Sequence, residues 1–365
     1  MENKTKDIFL LGAGASVEAG LPTASELFDR LSNDVNNSEW KNLLIELKKT
    51  SGNKFEDAIS ALDFVSNQNF SNLELNLLKI ITNNQFDITK ERLVDIYKLI
   101  DYIKRLWINQ KFIIKNPENV KYLFPLIEYC NECKSDIFTL NYDNTIEIAS
   151  KTLDIKYSTG FGNPNELGVE FFSTENFIKK DHQFNLYKMH GSVGWFISKF
   201  SPDNLYNNVY KPLKYNENDF EEKISKPAII LGSKNKLTSE GMYLDLLSIF
   251  RRELINATNI YIIGYSFTDS HINKYIQEVW SNYPKKNVII VDPFPPDFNT
   301  LPRPSFLGGA YEVKGGFDFR NLFCAVGNPL KNTLYISNKR TSEFCRNLEK
   351  HTIDVANLNA LFGDT

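Results

Sequence analysis

A short apolar run that leads into a glycine turn, close to the start of the chain, constrains the fold more than any other feature. Residues Ile8 to Leu11 are apolar, Gly12-Ala13-Gly14-Ala15-Ser16 follows, and a helical pattern runs from about Leu21 to Leu31. Strand, glycine turn and helix form the first unit of nucleotide-binding α/β sheets, although such turns also occur for packing alone. Because the third glycine comes only at position 20, the spacing departs from G-x-G-x-x-G and disfavours a hydride-transfer enzyme.

The rest of the chain alternates apolar strands with helices, apart from one helical stretch. Apolar runs predict strands at 136–140, 184–189, 193–197, 228–231, 260–263 and 288–291, and helices at 120–133, 242–256, 270–281 and about 341–362. Residues 39–114 have apolar side chains at three- and four-residue spacing and predict an all-helical insertion. The predicted fold class is α/β, with a Rossmann-like, mostly parallel sheet covered by helices on both faces. We expect a domain at 1–304 that includes the insertion, and a C-terminal extension at 305–365.

Charge, apolar length and cysteine usage exclude several classes of protein. Lys and Arg number 42 against 45 Asp and Glu, so the net charge of -3 gives no general attraction to nucleic acid. No stretch approaches the roughly 20 apolar residues that cross a bilayer, and the polar start resembles no signal peptide, so we expect a cytoplasmic protein without membrane contact. Cys130 and Cys133 form one C-x-x-C pair, which is half of a zinc site, and we expect no bound metal.

Polar residues that follow a predicted strand form a second motif, Thr139-Leu140-Asn141-Tyr142-Asp143. Ligand groups gather at the carboxyl ends of parallel strands, where an amide and a carboxylate can fix ribose hydroxyls or a water. The alternative is that Asn141 or Asp143 caps the next helix.

A histidine follows the next strand, in Lys188-Met189-His190-Gly191-Ser192. His190 is one of four histidines and has no partner at metal-ligand spacing. Its place at a strand end suits acid/base chemistry, and the alternative is a structural histidine beside a turn.

Two later strands end in small or acidic residues. The first leads into Gly264-Tyr265-Ser266-Phe267-Thr268-Asp269, and the second, Val288 to Val291, leads into Asp292-Pro293. Small residues at these strand ends let a phosphate contact the backbone, and a carboxylate can accept hydrogen bonds from the two hydroxyls of a ribose. The alternatives are that Asp269 caps the helix that begins at Ser270 and that Asp292 is a turn acid before proline.

These five motifs, in content and in order, resemble the sirtuin catalytic domain. Sirtuins carry a G-A-G-x-S-x-x-x-G-I-P opening, a T-x-N-x-D segment, an H-G pair with the catalytic histidine, a G-T-S turn and a late strand that contacts adenosine. The resemblance covers residues 7 to about 293, apart from the insertion. The resemblance implies that the diphosphate of NAD+ is bound by Gly12, Ala13, Gly14 and Ser16, and that the adenosine side is held by Gly264, Ser266 and Asp292. It also implies that Asn141 positions the attacking water or the nicotinamide ribose and that Asp143 supports this geometry. His190 would contact the ribose hydroxyls or accept a proton.

Two departures separate the chain from sirtuin deacylases. Where those enzymes continue I-P with D-F-R, this chain reads Leu21-Pro22-Thr23-Ala24-Ser25, and no cysteine lies between His190 and Ser266 to form the zinc ribbon. The pattern instead resembles the divergent bacterial sirtuin-like proteins of antiphage defence, which destroy NAD+ on infection.

The implied activity is that of an NAD+ glycohydrolase (NADase), which takes NAD+ as substrate, without a metal, and gives nicotinamide and ADP-ribose. The implied setting is abortive infection, with the chain as effector. The alternatives are a non-catalytic NAD+ or ADP-ribose sensor subunit and an NAD-dependent protein deacylase. Since unrestrained hydrolysis would kill the host, we expect a homo-oligomer, or a partner ATPase or other defence subunit, to control the activity.

Overall fold

The computed structural model describes residues 6–66, 90–166, 168–179, 181–198, 209–212, 225–230, 241–293, 333–349 and 356–357. In chain order the strands are β1 (Asp7–Leu11), β2 (Asp136–Thr139), β3 (Tyr157–Ser158), β4 (Val169–Phe171), β5 (Phe184–Lys188), β6 (Gly191–Ser198), β7 (Val209–Pro212), β8 (Ser225–Ile229), β9 (Asn259–Ile263), β10 (Asn287–Val291), β11 (Thr333–Ser337) and β12 (Ala356–Asn357). The α-helices are α1 (Leu27–Asp34), α2 (Ser38–Thr50), α3 (Phe55–Ser66), α4 (Lys90–Tyr102), α5 (Ile108–Lys111), α6 (Phe124–Cys133), α7 (Thr145–Thr152), α8 (Met242–Asn256), α9 (Ser270–Asn282) and α10 (Thr341–Glu349).

An eight-stranded sheet in the order β12-β11-β10-β9-β1-β2-β5-β3 forms the centre of the molecule. All of its neighbouring strands are parallel except β11 and β12, which are antiparallel. All five residues of β1 are buried, as expected for a strand with helices on both sides. Alternate residues face opposite layers: Ile8 and Leu10 pack with α8 and α9, and Phe9 and Leu11 pack with α6 and α7. The predicted α/β class with a mostly parallel sheet is confirmed.

Helices α1 to α5 form a separate apolar cluster beside the sheet. Trp107, only 1% exposed, lies in this cluster, and its Nε1 donates a hydrogen bond to Asp34 Oδ2 at 2.8 Å. The cluster also includes Phe28 and Leu31, which precede the predicted start of the insertion at Glu39. Residues 67–89 of that insertion lie outside the described residues.

A second sheet, which is antiparallel, has the strand order β4-β7-β6-β8. The sequence predicts 193–197 and 228–231 as strands of the parallel sheet, and this prediction is wrong, since β6 and β8 belong to the smaller antiparallel sheet. An apolar run indicates that a strand is buried, but it does not indicate the direction of the neighbouring strand.

Two helix predictions also need correction. After Gly12 the chain forms a 3-10 helix at Ala13–Ala19, and the α-helix begins only at Leu27, not at Leu21. Gly20 ends the first helix with φ 88°, and Thr23 with Glu26 forms a capping box that begins the next. Of the helix predicted at 341–362, the structure describes Thr341–Glu349 as α10, whereas 356–357 pair with β11 as a strand; residues 350–355 and 358–362 lie outside the described residues.

Residues 294–332, which contain the predicted start of the C-terminal extension, lie outside the described residues. None of the helices that are described is both long and apolar enough to cross a membrane.

Candidate active site

The motifs singled out in the sequence follow strands whose carboxyl ends lie side by side. Asp292 follows β10, Gly264 follows β9, Gly12 follows β1, Asn141 comes shortly after β2, and His190 comes shortly after β5. These strands are consecutive neighbours in the parallel sheet, so all of these residues lie at one edge. The chain leaves β1 for β2 on one side and later returns to β9 on the other. This reversal at β1 and β9 is the position at which α/β sheets bind ligands.

The turns after β1 and β9 interlock through their backbones. The Gly12 N–H donates to the Ile263 carbonyl at 2.9 Å, and the Gly14 N–H donates to the Gly264 carbonyl at 2.8 Å. A Cβ on Gly264, whose φ is +62°, would lie 2.2 Å from the Ala15 nitrogen, and one on Gly12 would lie 2.6 Å from the Gly264 oxygen. Contact between the two turns therefore requires these glycines, which gives them a packing role whether or not they also contact a diphosphate.

The turn after β1 has further polar groups that do not take part in its contact with the turn after β9. Ala13 is exposed, Gly14 is half-buried, and the buried Ser16 hydroxyl accepts a hydrogen bond from Asn141 Nδ2 at 3.0 Å. A hydroxyl that accepts one hydrogen bond still has its own hydrogen to donate.

Tyr122 supports the same turn from the helix layer. Its hydroxyl donates to the Ala15 carbonyl at 2.7 Å. Burial, together with the nearby Asp143 carboxylate, raises the pKa of Tyr122 well above its usual range. The phenol therefore remains a donor at physiological pH.

Asn141 connects the turn after β2 to the turn after β1. Its Nδ2 donates to the Gly12 carbonyl at 2.9 Å as well as to Ser16, and its backbone N–H donates to Thr139 Oγ1 at 3.1 Å. The side chain is half-buried. The Asn141 amide thus has a defined position at the reversal of the sheet, on the side of the glycine turn.

Asp143 stabilises the turn after β2 through buried hydrogen bonds. Its Oδ1 accepts from the N–H of Thr145 at 3.0 Å and from the Thr145 hydroxyl at 2.6 Å, and only 4% of the residue is exposed. Of the two residues considered as caps, Asp143 is the one whose side chain accepts at the start of α7. Buried Lys188 donates to the Asp143 carbonyl and to Glu147 Oε1, the latter at 2.9 Å, which fixes the turn further.

His190 is held through both ring nitrogens. Its Nδ1 lies 3.1 Å from the Leu140 carbonyl oxygen, and its Nε2 lies 3.1 Å from Asp269 Oδ2. His190 is 7% exposed and Asp269 is 4% exposed. Because Leu140 precedes Asn141, the histidine contacts the same turn that carries the candidate amide.

Asp269 contributes to the site although the sequence indicated it only as a ribose acid or a helix cap. It does cap α9, since its Oδ1 accepts from the His271 N–H at 3.0 Å, while its other oxygen faces His190. The Tyr265 hydroxyl accepts from the Asp269 N–H at 3.1 Å and lies 2.9 Å from Asn273 Oδ1. Asp269 and His190 are separated by 79 positions, and no local pattern pairs them.

Ser266 lies in the turn after β9, and Asp292 follows β10, the neighbouring strand on the side away from β1. Ser266 is exposed, and its hydroxyl lies 3.3 Å from Thr268 Oγ1. Asp292 is half-buried, and its N–H donates to the Ser337 carbonyl at 3.0 Å. The described residues contain no group of three or more His, Cys, Asp and Glu side chains arranged to hold a metal.

Comparison with known proteins associates part of the chain with one family. Residues 135–310 match the family model described as the SIR2-like domain, a range that includes Asn141, His190 and Asp269 but not the glycine turn after β1. No curated protein matches the chain. A mutant Sir2 homologue in complex with ADP-ribose is 13% identical, with 95% of this chain and 91% of that chain covered and a TM-score of 0.45. A complex of a Sir2 homologue with NAD is 12% identical, with 95% and 88% covered and a TM-score of 0.45.

Proposed function

We propose that this chain binds NAD+ at the carboxyl edge of its parallel sheet and hydrolyses the bond between nicotinamide and ribose. The observation that carries the proposal is the arrangement of Asn141, His190 and the interlocked glycine turns on neighbouring strand ends at the reversal of the sheet. The SIR2-like match over 135–310 supports an NAD-related activity for the part of the chain that carries Asn141 and His190.

In this proposal the two sides of the β1 turn bind the two halves of NAD+. Ala13, Gly14 and the Ser16 hydroxyl contact the diphosphate, together with Gly12, whose backbone shapes the turn. Gly264, Ser266 and Asp292 hold the adenosine side, where an exposed hydroxyl and a half-buried carboxylate suit a ribose diol. The nicotinamide ribose then lies toward Asn141 and His190.

The reaction that fits this arrangement is hydrolysis through an oxocarbenium-like ribose. The bond from the ribose anomeric carbon to the pyridinium nitrogen breaks, and its electron pair leaves with neutral nicotinamide. A water adds to the anomeric carbon and loses one proton, which gives ADP-ribose. Asn141 positions that water or the ribose, Asp143 holds the turn, and His190 contacts the ribose hydroxyls. These contacts accelerate the reaction because they are stronger in the transition state, where positive charge develops on the ribose, than with bound NAD+.

The proposed setting is an antiphage effector in the cytoplasm. The resemblance of the five sequence motifs to the sirtuin-like proteins of antiphage defence supports this setting. The sequence between His190 and Ser266 has no cysteine for the zinc ribbon of the deacylases, which favours NAD+ hydrolysis over deacylation. Control by a homo-oligomer, a partner ATPase or another defence subunit completes the proposal. Light scattering, with NAD+ turnover measured on each separated species, tests it; a fully active monomer that no partner changes would contradict it.

The activity is tested by incubating the purified chain with NAD+, with and without an acetylated peptide, and measuring nicotinamide and ADP-ribose. We expect equal release of both products in the two incubations. Release only in the presence of peptide would indicate a deacylase. Binding of NAD+ without release, under conditions that activate the assembly, would indicate a sensor and overturn the proposal.

A further inference from the structure

We propose that Asp269 is the positioning residue of His190 and holds its ring as an imidazolium clamped between Asp269 and Leu140. Only the expected effect on NAD+ cleavage rests on the proposed function. The protonation of the ring follows from the hydrogen bonds of the free protein.

The hydrogen-bonding chemistry of the two partners determines where the ring hydrogens lie. A backbone carbonyl can only accept, so the contact at 3.1 Å with Leu140 requires a hydrogen on Nδ1 of His190. An ionised carboxylate also only accepts, so the contact at 3.1 Å with Asp269 requires a hydrogen on Nε2. A neutral ring would place a nitrogen lone pair against one of these oxygens, whereas the imidazolium satisfies both.

The surroundings of Asp269 favour its ionised form. Its second oxygen accepts from the N–H of His271, and it occupies the N-cap position of the 13-residue helix α9, where the helix dipole favours a negative charge. Buried charges are tolerated only when they are paired and hydrogen-bonded. Asp269 and His190, both nearly inaccessible, meet that condition as a pair without net charge.

This clamp has two consequences for the proposed reaction. The Leu140 carbonyl is fixed by the ring, and Asn141, the next residue, is therefore held at the glycine turn from both sides. The Asp269 carboxylate also cancels the charge of the imidazolium, which would otherwise oppose a cationic ribose next to it.

Asp269→Asn is the substitution that isolates the charge. Asparagine keeps the size and the helix-capping ability of aspartate, but its amide would donate toward Nε2 and leave His190 neutral with the hydrogen on Nδ1. We expect kcat for NAD+ cleavage to fall about tenfold or more, with KM changed by less than about threefold, because the diphosphate turn is not altered.

Asp181→Asn is the matched control. Asp181 also contacts a histidine, with its Oδ1 3.1 Å from His182 Nδ1, but it is exposed and lies near the start of β5, at the opposite edge of the sheet. We expect this variant to keep wild-type kcat and an unchanged His190 ring.

The direct measurement is the ¹⁵N spectrum of labelled histidine rings in the folded chain at pH 7, with circular dichroism to confirm folding. The sequence has only four histidines, and a His190→Gln variant assigns the signals of His190. We expect both nitrogens of His190 to be protonated in the wild type and only one in Asp269→Asn.

The outcomes separate this inference from the proposed function. An unprotonated nitrogen on His190 in the wild type, or no change in Asp269→Asn, overturns the inference, as does an unchanged kcat in that variant. A protonated ring in a chain that never cleaves NAD+ would leave the clamp established and reject only the hydrolase.

Discussion

The two edges of the central sheet use polar residues in different ways. At the amino edge, charged side chains pair with one another or with helix ends: Lys6 with Glu253, and Lys286 Nζ with the Ile255 carbonyl at 2.5 Å. A groove of about 460 Å³ lies there, lined partly by Lys6 and Glu253. At the carboxyl edge, backbone turns interlock instead, and the amide of Asn141 and the ring of His190 connect these turns.

A concave, charged surface is therefore not by itself evidence of an active site. The charged groups described at the amino edge connect the starts of β1 and β10 to α8 and stabilise the fold. At the carboxyl edge the polar groups belong to turns that end neighbouring strands, where a ligand can approach several backbones at once. Four experiments test this contrast between the two edges.

The largest effect is expected from His190→Ala and Asn141→Ala. Each should lower kcat/KM for NAD+ cleavage by about 100-fold or more, because the removed group orients the reacting ribose or water. Nicotinamide release measures the change, with folding confirmed by circular dichroism. The control is His182→Ala, near the opposite edge of the sheet; full activity in the variant of either candidate residue would remove that residue from the site.

The second effect is on stability and compares glycines that have the same backbone conformation. Gly264→Ala places a Cβ 2.2 Å from the Ala15 nitrogen at φ +62°, whereas Gly52→Ala at φ +61° meets nothing within 4 Å. We expect Gly52→Ala to lower the free energy of unfolding by about 1 kcal/mol and Gly264→Ala by at least about 3 kcal/mol. Urea denaturation measures both; equal losses would show that the turns do not depend on this contact.

A smaller, pH-dependent effect is expected at the amino edge from Glu253→Gln. Burial acts to raise the pKa of Glu253, but hydrogen bonds and ion pairs with Lys6 and Arg252 outweigh it and hold the pKa below its usual 4.5. A lowered pKa stabilises the folded state above pH 4.5, and this stabilisation is lost as the pH falls through the lowered pKa.

The Glu253→Gln variant should therefore lose about 1 kcal/mol at pH 7, and the difference from the wild type should shrink in acid. Its NAD+ cleavage should be unchanged. A large loss of activity with intact stability would assign chemistry to the amino edge and reverse the contrast between the two edges.

No effect is expected from metal removal. Chelator or added zinc should leave the rate of nicotinamide release unchanged, since the proposed reaction uses only side chains and backbone of the carboxyl edge. Activity that falls with chelator and returns with zinc would contradict this prediction.

The sequence predicted the α/β class and five strands of the central sheet, β1, β2, β5, β9 and β10, because their apolar runs are short and are bounded by turn residues. It did not predict β3, β11 or β12. It could not assign 193–197 and 228–231 to a separate antiparallel sheet, since burial on both faces produces the same apolar pattern for either strand direction. The sequence predicted a helix from about Leu21, between the 3-10 helix at Ala13–Ala19 and the α-helix that begins at Leu27, because glycines in a turn give no indication of the 3-10 helix that follows them.

For the candidate site, the sequence located Asn141 and His190 through their positions after strands, and the structure places both beside the β2 turn. It did not pair Asp269 with His190, because a capping aspartate has the same local pattern whether or not its second oxygen meets a distant ring. Nor did it anticipate that the glycines contact a second turn, which depends on how β1 and β9 meet in space.

The interlocked glycine turns have a consequence for the thermodynamics of binding. Gly12, Gly14 and Gly264 are held by backbone hydrogen bonds before any ligand arrives, so the conformational entropy of ordering these turns is already lost on folding. A dinucleotide that binds there does not have to order them again, and more of its contact energy appears as affinity. Calorimetry should accordingly find a smaller entropic penalty for ADP-ribose than for a ligand whose binding orders a loop.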